Sequence, residues 1–162
     1  MTSEPISHSS RTVESALETL VMFYETMTPE SLVQLPSIYA TDAYFKDPFN
    51  EVTGIAPIKA IFAHMFVQVA KPKFTVLSAI ASPPSNTAGH EAYIVWLFDW
   101  GKEKPIRGSS HIKFDSHQRV IFHRDYWDAA EELYETLPLL GTLMRWLKGK
   151  LSLKQTINHN TH

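Results

Sequence analysis

The spacing of apolar positions divides the chain into a helical first half and a strand-rich second half. Val13, Ala16, Leu17, Leu20, Val21 and Tyr24 recur at helical intervals and predict a helix from Thr12 to about Met27. Thr28-Pro29-Glu30 restarts the chain, with Thr28 as N-cap and Pro29 at the first helical position, so a second, short helix is expected through Ile38 and Tyr39. Ala43 to Asp47 reads as a short strand closed by Pro48, which cannot donate to a ladder. After Gly54, the positions Ile58, Ile61, Phe62, Met65, Phe66 and Val69 mark one face of a third helix, from about Ala56 to Val69. The period then shortens. Strands are expected over Phe74–Ala81, Ala88–Trp100, Ile106–Phe114 and Val120–Trp127, separated by Pro-, Gly-, Asn- and Asp-bearing turns. Asp128 and Glu131 resemble a capping box, and the helix they predict runs from acidic residues to Arg145, Lys148 and Lys150, the order its dipole favours.

These elements predict an α+β fold: a cone-shaped, curved antiparallel sheet packed against three N-terminal helices, followed by a C-terminal helix. The expected organisation is a disordered tail over 1–11, one domain over 12–128, a helical extension over 129–153 and a loose tail over 154–162. A cone has an inside, and the strands are rich in aromatics. One apolar pocket walled by Phe23, Tyr24, Phe45, Phe62, Phe66, Trp96, Ser110 and Trp127 is therefore expected to hold a small hydrophobic molecule. Aromatics at such positions are also ordinary core.

Composition narrows the chemistry. The chain has 162 residues, 44% hydrophobic and 20% charged, enough for one well-buried domain. A formal charge of -2 argues against a dedicated nucleic-acid binder. With no cysteine, disulfides, zinc–thiolate sites and cysteine nucleophiles are excluded, which fits the cytoplasm. The first ten residues lack the basic start and apolar run of a signal peptide. The histidines form no ligand spacing, so no metal is expected, and no Gly-rich phosphate loop or nucleophile elbow calls for a cofactor.

The order of elements, together with Tyr39-Ala40-Thr41-Asp42-Ala43-Tyr44-Phe45-Lys46-Asp47-Pro48, resembles the nuclear transport factor 2-like superfamily. More narrowly, the chain is similar to its bacterial SnoaL-like and ketosteroid-isomerase-like members over about Val13 to Trp127. The resemblance implies a homodimer and cofactor-free proton chemistry, with Asp47 at the position of the isomerases' general base. It also implies an oxyanion hole, but the isomerases' tyrosine falls at Phe23, beside Tyr24, and their acidic donor at Ser110. SnoaL-like cyclases resemble this chain in carrying an acid on the last strand, which here is Asp125. His123, Asp125 and Trp127 share one face of that strand, and the resemblance turns that face inward.

Each candidate has a plainer reading. Asp47 can end a strand, its carboxylate bonding nearby amides. Asp125 can be a buried carboxylate that simply needs a partner, and His123 a satisfied sheet histidine. Two functions follow: an isomerase, cyclase or dehydratase using Asp47, Asp125 and His123 on a cyclic or lipid-like substrate, or a non-catalytic binding or dimerisation module. A weaker third is contact with a membrane surface through the basic, apolar segment around Trp146.

Overall fold

The computed structural model describes residues 12–82 and 90–129, and the elements that follow lie in the unit ending at Trp127. Helix α1 spans Val13–Thr26 and is capped by Thr12, whose side chain accepts from Ser15 N. Its buried stripe is Val13, Ala16, Leu17, Leu20, Phe23 and Tyr24. The expected second helix is divided: a 3-10 turn over Glu30–Gln34, then one α-helical turn, α2, over Leu35–Ile38 with Pro36 in its first turn. A proline has no N–H to continue the preceding ladder, so the chain restarts there. Helix α3 covers Ile55–Gln68 and buries Ile58 and Phe62.

The six strands are β1 (Tyr39–Lys46), β2 (Glu51–Thr53), β3 (Lys73–Ala81), β4 (His90–Asp99), β5 (Ile106–Phe114) and β6 (Val120–Trp127). They form one sheet in the order β2-β1-β6-β5-β4-β3, open at both edges and bent by register shifts in three of its pairings. Strand β1 begins at Tyr39 rather than Ala43, and β2 has no forerunner in the sequence pattern.

The expectation of a wholly antiparallel sheet is corrected at one joint. β1 lies parallel to β6, with Phe45 opposite His123 and Lys46 opposite Arg124. The reason is topological. The chain between these strands makes α3 and four more strands, the kind of long connection that parallel pairing needs. The expected C-terminal helix lies outside the described residues, as do both expected tails. Among the described residues, no helix is long and apolar enough to cross a membrane.

The core joins α1, α2 and α3 to the inner face of the sheet, with Leu20, Leu35, Tyr39, Ala43, Ile94, Ile112 and Val120 almost wholly buried. Across the strands the inner face forms rows: Ala92, Ile112, His123 and Phe45 in one, and Ile94, Ser110 and Asp125 in the next. A third row holds Val76, Trp96, Gly108 and Trp127. Polar side chains thus sit in the middle of an apolar face.

Candidate functional site

Within those rows the structure builds a continuous chain of hydrogen bonds. Trp96 Nε1 donates to Ser110 Oγ at 2.8 Å, and Ser110 Oγ donates to Asp125 Oδ1 at 2.5 Å. His123 Nε2 lies 2.8 Å from the same Oδ1. On the other side of the imidazole, Nδ1 is 2.8 Å from the Tyr39 hydroxyl and 3.0 Å from that of Tyr24, and the two hydroxyls are 2.7 Å apart. Five elements supply these groups: α1 gives Tyr24, β1 gives Tyr39, β4 gives Trp96, β5 gives Ser110, and β6 gives His123 and Asp125.

Donor and acceptor counting fixes the arrangement. A carboxylate oxygen accepts, so Nε2 carries the proton that faces Asp125. Nδ1 is then left as an acceptor for one tyrosine hydroxyl, and the second hydroxyl donates to the first. A proton on both ring nitrogens would leave one hydroxyl without an internal acceptor. Apolar rings wall the imidazole: Phe45 meets it edge-on with centroids 4.8 Å apart, and Phe62 packs on both Phe45 and Tyr24. His123 and Ser110 are each 2% exposed, whereas the Asp125 side chain is 18% exposed. The network reaches the outside at its carboxylate end.

Burial pushes both phenols well above the ordinary value of 10.0. For Tyr24, the neighbouring Tyr39 and the charge of Asp125 add to that push. For Tyr39, the hydrogen bond with Tyr24 opposes it and Asp125 reinforces it. Both groups therefore remain hydroxyls where unfolded phenols ionise. With the folded value raised, their stabilisation is complete below pH 10 and is lost as the pH climbs beyond it, by up to about 1.4 kcal/mol per pH unit for each phenol. Urea midpoints between neutral pH and about pH 12 should fall more steeply for the native sequence than for a Tyr24→Phe/Tyr39→Phe double variant. Parallel curves would show that the two phenols add nothing to the alkaline loss.

The expected site residues fall into three groups. Tyr24, Trp96, Ser110, His123 and Asp125 are joined in the network. Phe23, Phe45 and Phe62 are buried rings of the core around it, and Phe66 and Trp127 pack against that core partly exposed. Asp47 stands apart from the network. Its Oδ1 accepts from Phe49 N at 2.7 Å and Asn50 N at 2.6 Å, and Asn50 Nδ2 lies 2.9 Å from Oδ2. All of these bonds belong to the turn that follows β1.

Two contributors have no place among the sequence candidates. Tyr39 sits where the second helix was expected to end, and a tyrosine there gives no signal until its strand is paired with β6. Gly108 lies under the Trp96 ring, where an added Cβ would come within 2.3 Å of a ring carbon. A lone glycine inside a strand, where close approach of another group is common, is the one sequence sign of it.

A separate groove of about 520 Å³ runs between α1 and β3, lined by Leu17, Val21, Met22 and Ala79 with Glu14 and Glu18. It contains none of the network residues. Among the described residues no cluster of three or more histidine, aspartate or glutamate side chains is placed to hold a metal.

Comparison with known proteins gives this geometry a context. The family model of the SnoaL-like domain matches residues 20–123, a span that includes Tyr24, Tyr39, Trp96, Ser110 and His123. No curated protein matches the sequence. Among solved structures, one from Agrobacterium tumefaciens, provisionally called an isomerase of the SnoaL-like family, superposes with a TM-score of 0.58 at 12% identity. That match covers 71% of this chain and 96% of the other. A protein from Shewanella putrefaciens, provisionally called a SnoaL-like polyketide cyclase, gives 0.54 at 14% identity over 79% of this chain and 92% of its own. A protein of ketosteroid-isomerase-like fold from Catenulispora acidiphila, in complex with trimethylamine, gives 0.55 at 14% identity over 74% and 89%. Identities this low speak to the fold alone. The family match covers well over half of the sequence, and this chain belongs to the SnoaL-like domain family, built on the nuclear transport factor 2-like fold.

Proposed function

We propose that this protein binds a small hydrophobic molecule of cyclic or lipid-like type against the inner face of its sheet and moves a proton on it without a cofactor. His123 and Asp125, rather than Asp47, are the acid–base pair in this reading. Isomerisation, cyclisation and dehydration all fit such a pair. The observation that carries the proposal is the hydrogen-bond chain in which Asp125 fixes the tautomer of His123 and two tyrosine hydroxyls hold its other nitrogen. An oriented imidazole–carboxylate pair is the usual way a protein prepares a general base. Asp47 is the weaker choice because the turn already occupies its carboxylate.

The test uses 2-tetralone, an enolisable cyclic ketone, in deuterated buffer with exchange beside the carbonyl followed by NMR. Exchange above the buffer rate is expected for the native protein. His123→Gln and Asp125→Asn variants that keep the native circular dichroism should lose that excess by about 100-fold or more. No excess with the native protein, or an excess untouched by both substitutions, would refute the catalytic role.

A second reading, a non-catalytic binding module, is favoured by one observation: every donor in the network has an internal partner and His123 is almost wholly buried. In that reading the variants lose stability without any exchange being lost. We also propose a homodimer formed through the outer sheet face, which leaves Ile80 64% and Tyr93 47% exposed beside the Glu91–Lys113 ion pair. Light scattering at twice the chain mass, reduced to one chain mass by Tyr93→Lys, is the expected result.

A further inference from the structure

The donor count of the network points to the kind of ligand it takes. Trp96 Nε1–H is spent on Ser110, and the Ser110 hydroxyl and His123 Nε2–H are both spent on Asp125 Oδ1. The tyrosine hydroxyls are spent on Nδ1 and on each other. What remains open is an acceptor. Asp125 Oδ2 has no hydrogen-bond partner among the described residues, and Asp125 is the member of the network that meets the exterior. A ketone or ether oxygen brought to this point faces a carboxylate oxygen with no hydrogen between them. A hydroxyl brings the missing hydrogen.

The surroundings are aromatic. Trp127 lies two residues beyond Asp125 on the same face of β6, partly exposed, with its ring 5.4 Å from that of Phe49. Trp96 and Phe98 follow on β4, packed on Phe74. A flat apolar body lying along these rings would bring its polar head to Asp125.

We infer that the ligand of this site is headed by a hydrogen-bond donor, a hydroxyl on an apolar ring in phenol, enol or alcohol form, which bonds to Asp125 Oδ2. The inference rests on reading the network as a ligand site and adds the chemistry of the head group. It also gives the proton-transfer reading a direction: between the two forms of an enolisable ketone, the site holds the enol.

Three naphthalenes of similar size test this by calorimetry or by quenching of tryptophan emission: 2-naphthol, 2-methoxynaphthalene and 2-acetylnaphthalene. A hydrogen bond to a charged acceptor is worth enough to favour the naphthol by about tenfold or more over the other two. Asp125→Asn keeps the shape but changes the head-group rule. Its carbonyl oxygen takes the bonds from Ser110 and His123, so its NH2 faces the ligand as a donor, and the preference should turn toward 2-acetylnaphthalene. Equal affinity for all three ligands, or a naphthol preference that survives Asp125→Asn, would overturn the inference while leaving a ligand site in place. Failure of the native protein to bind any of the three would overturn the ligand-site reading itself, and this inference with it.

Discussion

Asp125→Ala is expected to destabilise the protein by about 2–5 kcal/mol, far more than Asp125→Asn. The carboxylate is the shared acceptor of Ser110 and His123, and both donors are 2% exposed. Truncation to alanine leaves two buried donors unpaired, each costing about 1–3 kcal/mol. Asparagine keeps an oxygen in the same place and loses only the charge on the acceptor, so about 1 kcal/mol is expected for it. The 18% exposure of the Asp125 side chain lets water reach part of the gap, which holds the alanine cost nearer the lower figure. In a domain of this size the difference between the variants corresponds to about 5–10 °C in Tm. Urea unfolding at an unchanged m-value is the measurement. Equal stabilities for the two variants would mean that Ser110 and His123 find other acceptors, and Asp125 would lose its place as the centre of the network.

The same network shows where sequence reading succeeds and where it stops. Helix α1 follows from local spacing, and β5 and β6 keep the limits that their alternation predicts, because the Asp115-Ser116-His117-Gln118 turn between them is local chemistry. Gln118 takes the positive φ of that turn, and Asp115 bonds the backbone of His117 and Arg119. Alternation along β6 also puts His123 and Asp125 on one face, and the hydrogen bond between them could be sought from the sequence. Tyr39 is a different case. Its hydroxyl meets His123 only because β1 lies parallel to β6, a pairing between segments far apart in the chain that no local pattern encodes. Asp47 is the opposite case: its neighbourhood resembles that of an isomerase base, and in the structure its carboxylate accepts from Phe49 and Asn50 in the turn after β1, which local sequence also suggests. Resemblance located the fold, and local turn chemistry accounts for the bonds that Asp47 makes.

Gly108→Ala is the second large expected effect, and it acts through a residue that makes no hydrogen bond with its own side chain. Gly108 is paired with Trp96 on β4 and Trp127 on β6, so its backbone is held from both sides. A methyl there would lie 2.3 Å and 2.4 Å from two carbons of the Trp96 ring, distances that neither the strand nor a rigid indole can absorb. The ring must leave, and its Nε1 then loses Ser110 Oγ. Overpacking costs about 1–3 kcal/mol and the unpaired indole N–H about 1 kcal/mol or more, so a loss of about 2–4 kcal/mol is expected. Backbone strain adds nothing, because Gly108 does not adopt a positive φ. The cause can be isolated by a double-mutant cycle. In a Trp96→Leu background the ring is gone, and Gly108→Ala should then cost less than about 1 kcal/mol, giving a coupling of about 1–3 kcal/mol between the two sites. Additive costs would place the damage in the strand itself. With coupling, Gly108 is a positioning residue: by leaving space it lets Trp96 turn Ser110, and Ser110 hold the oxygen of Asp125 that orients His123.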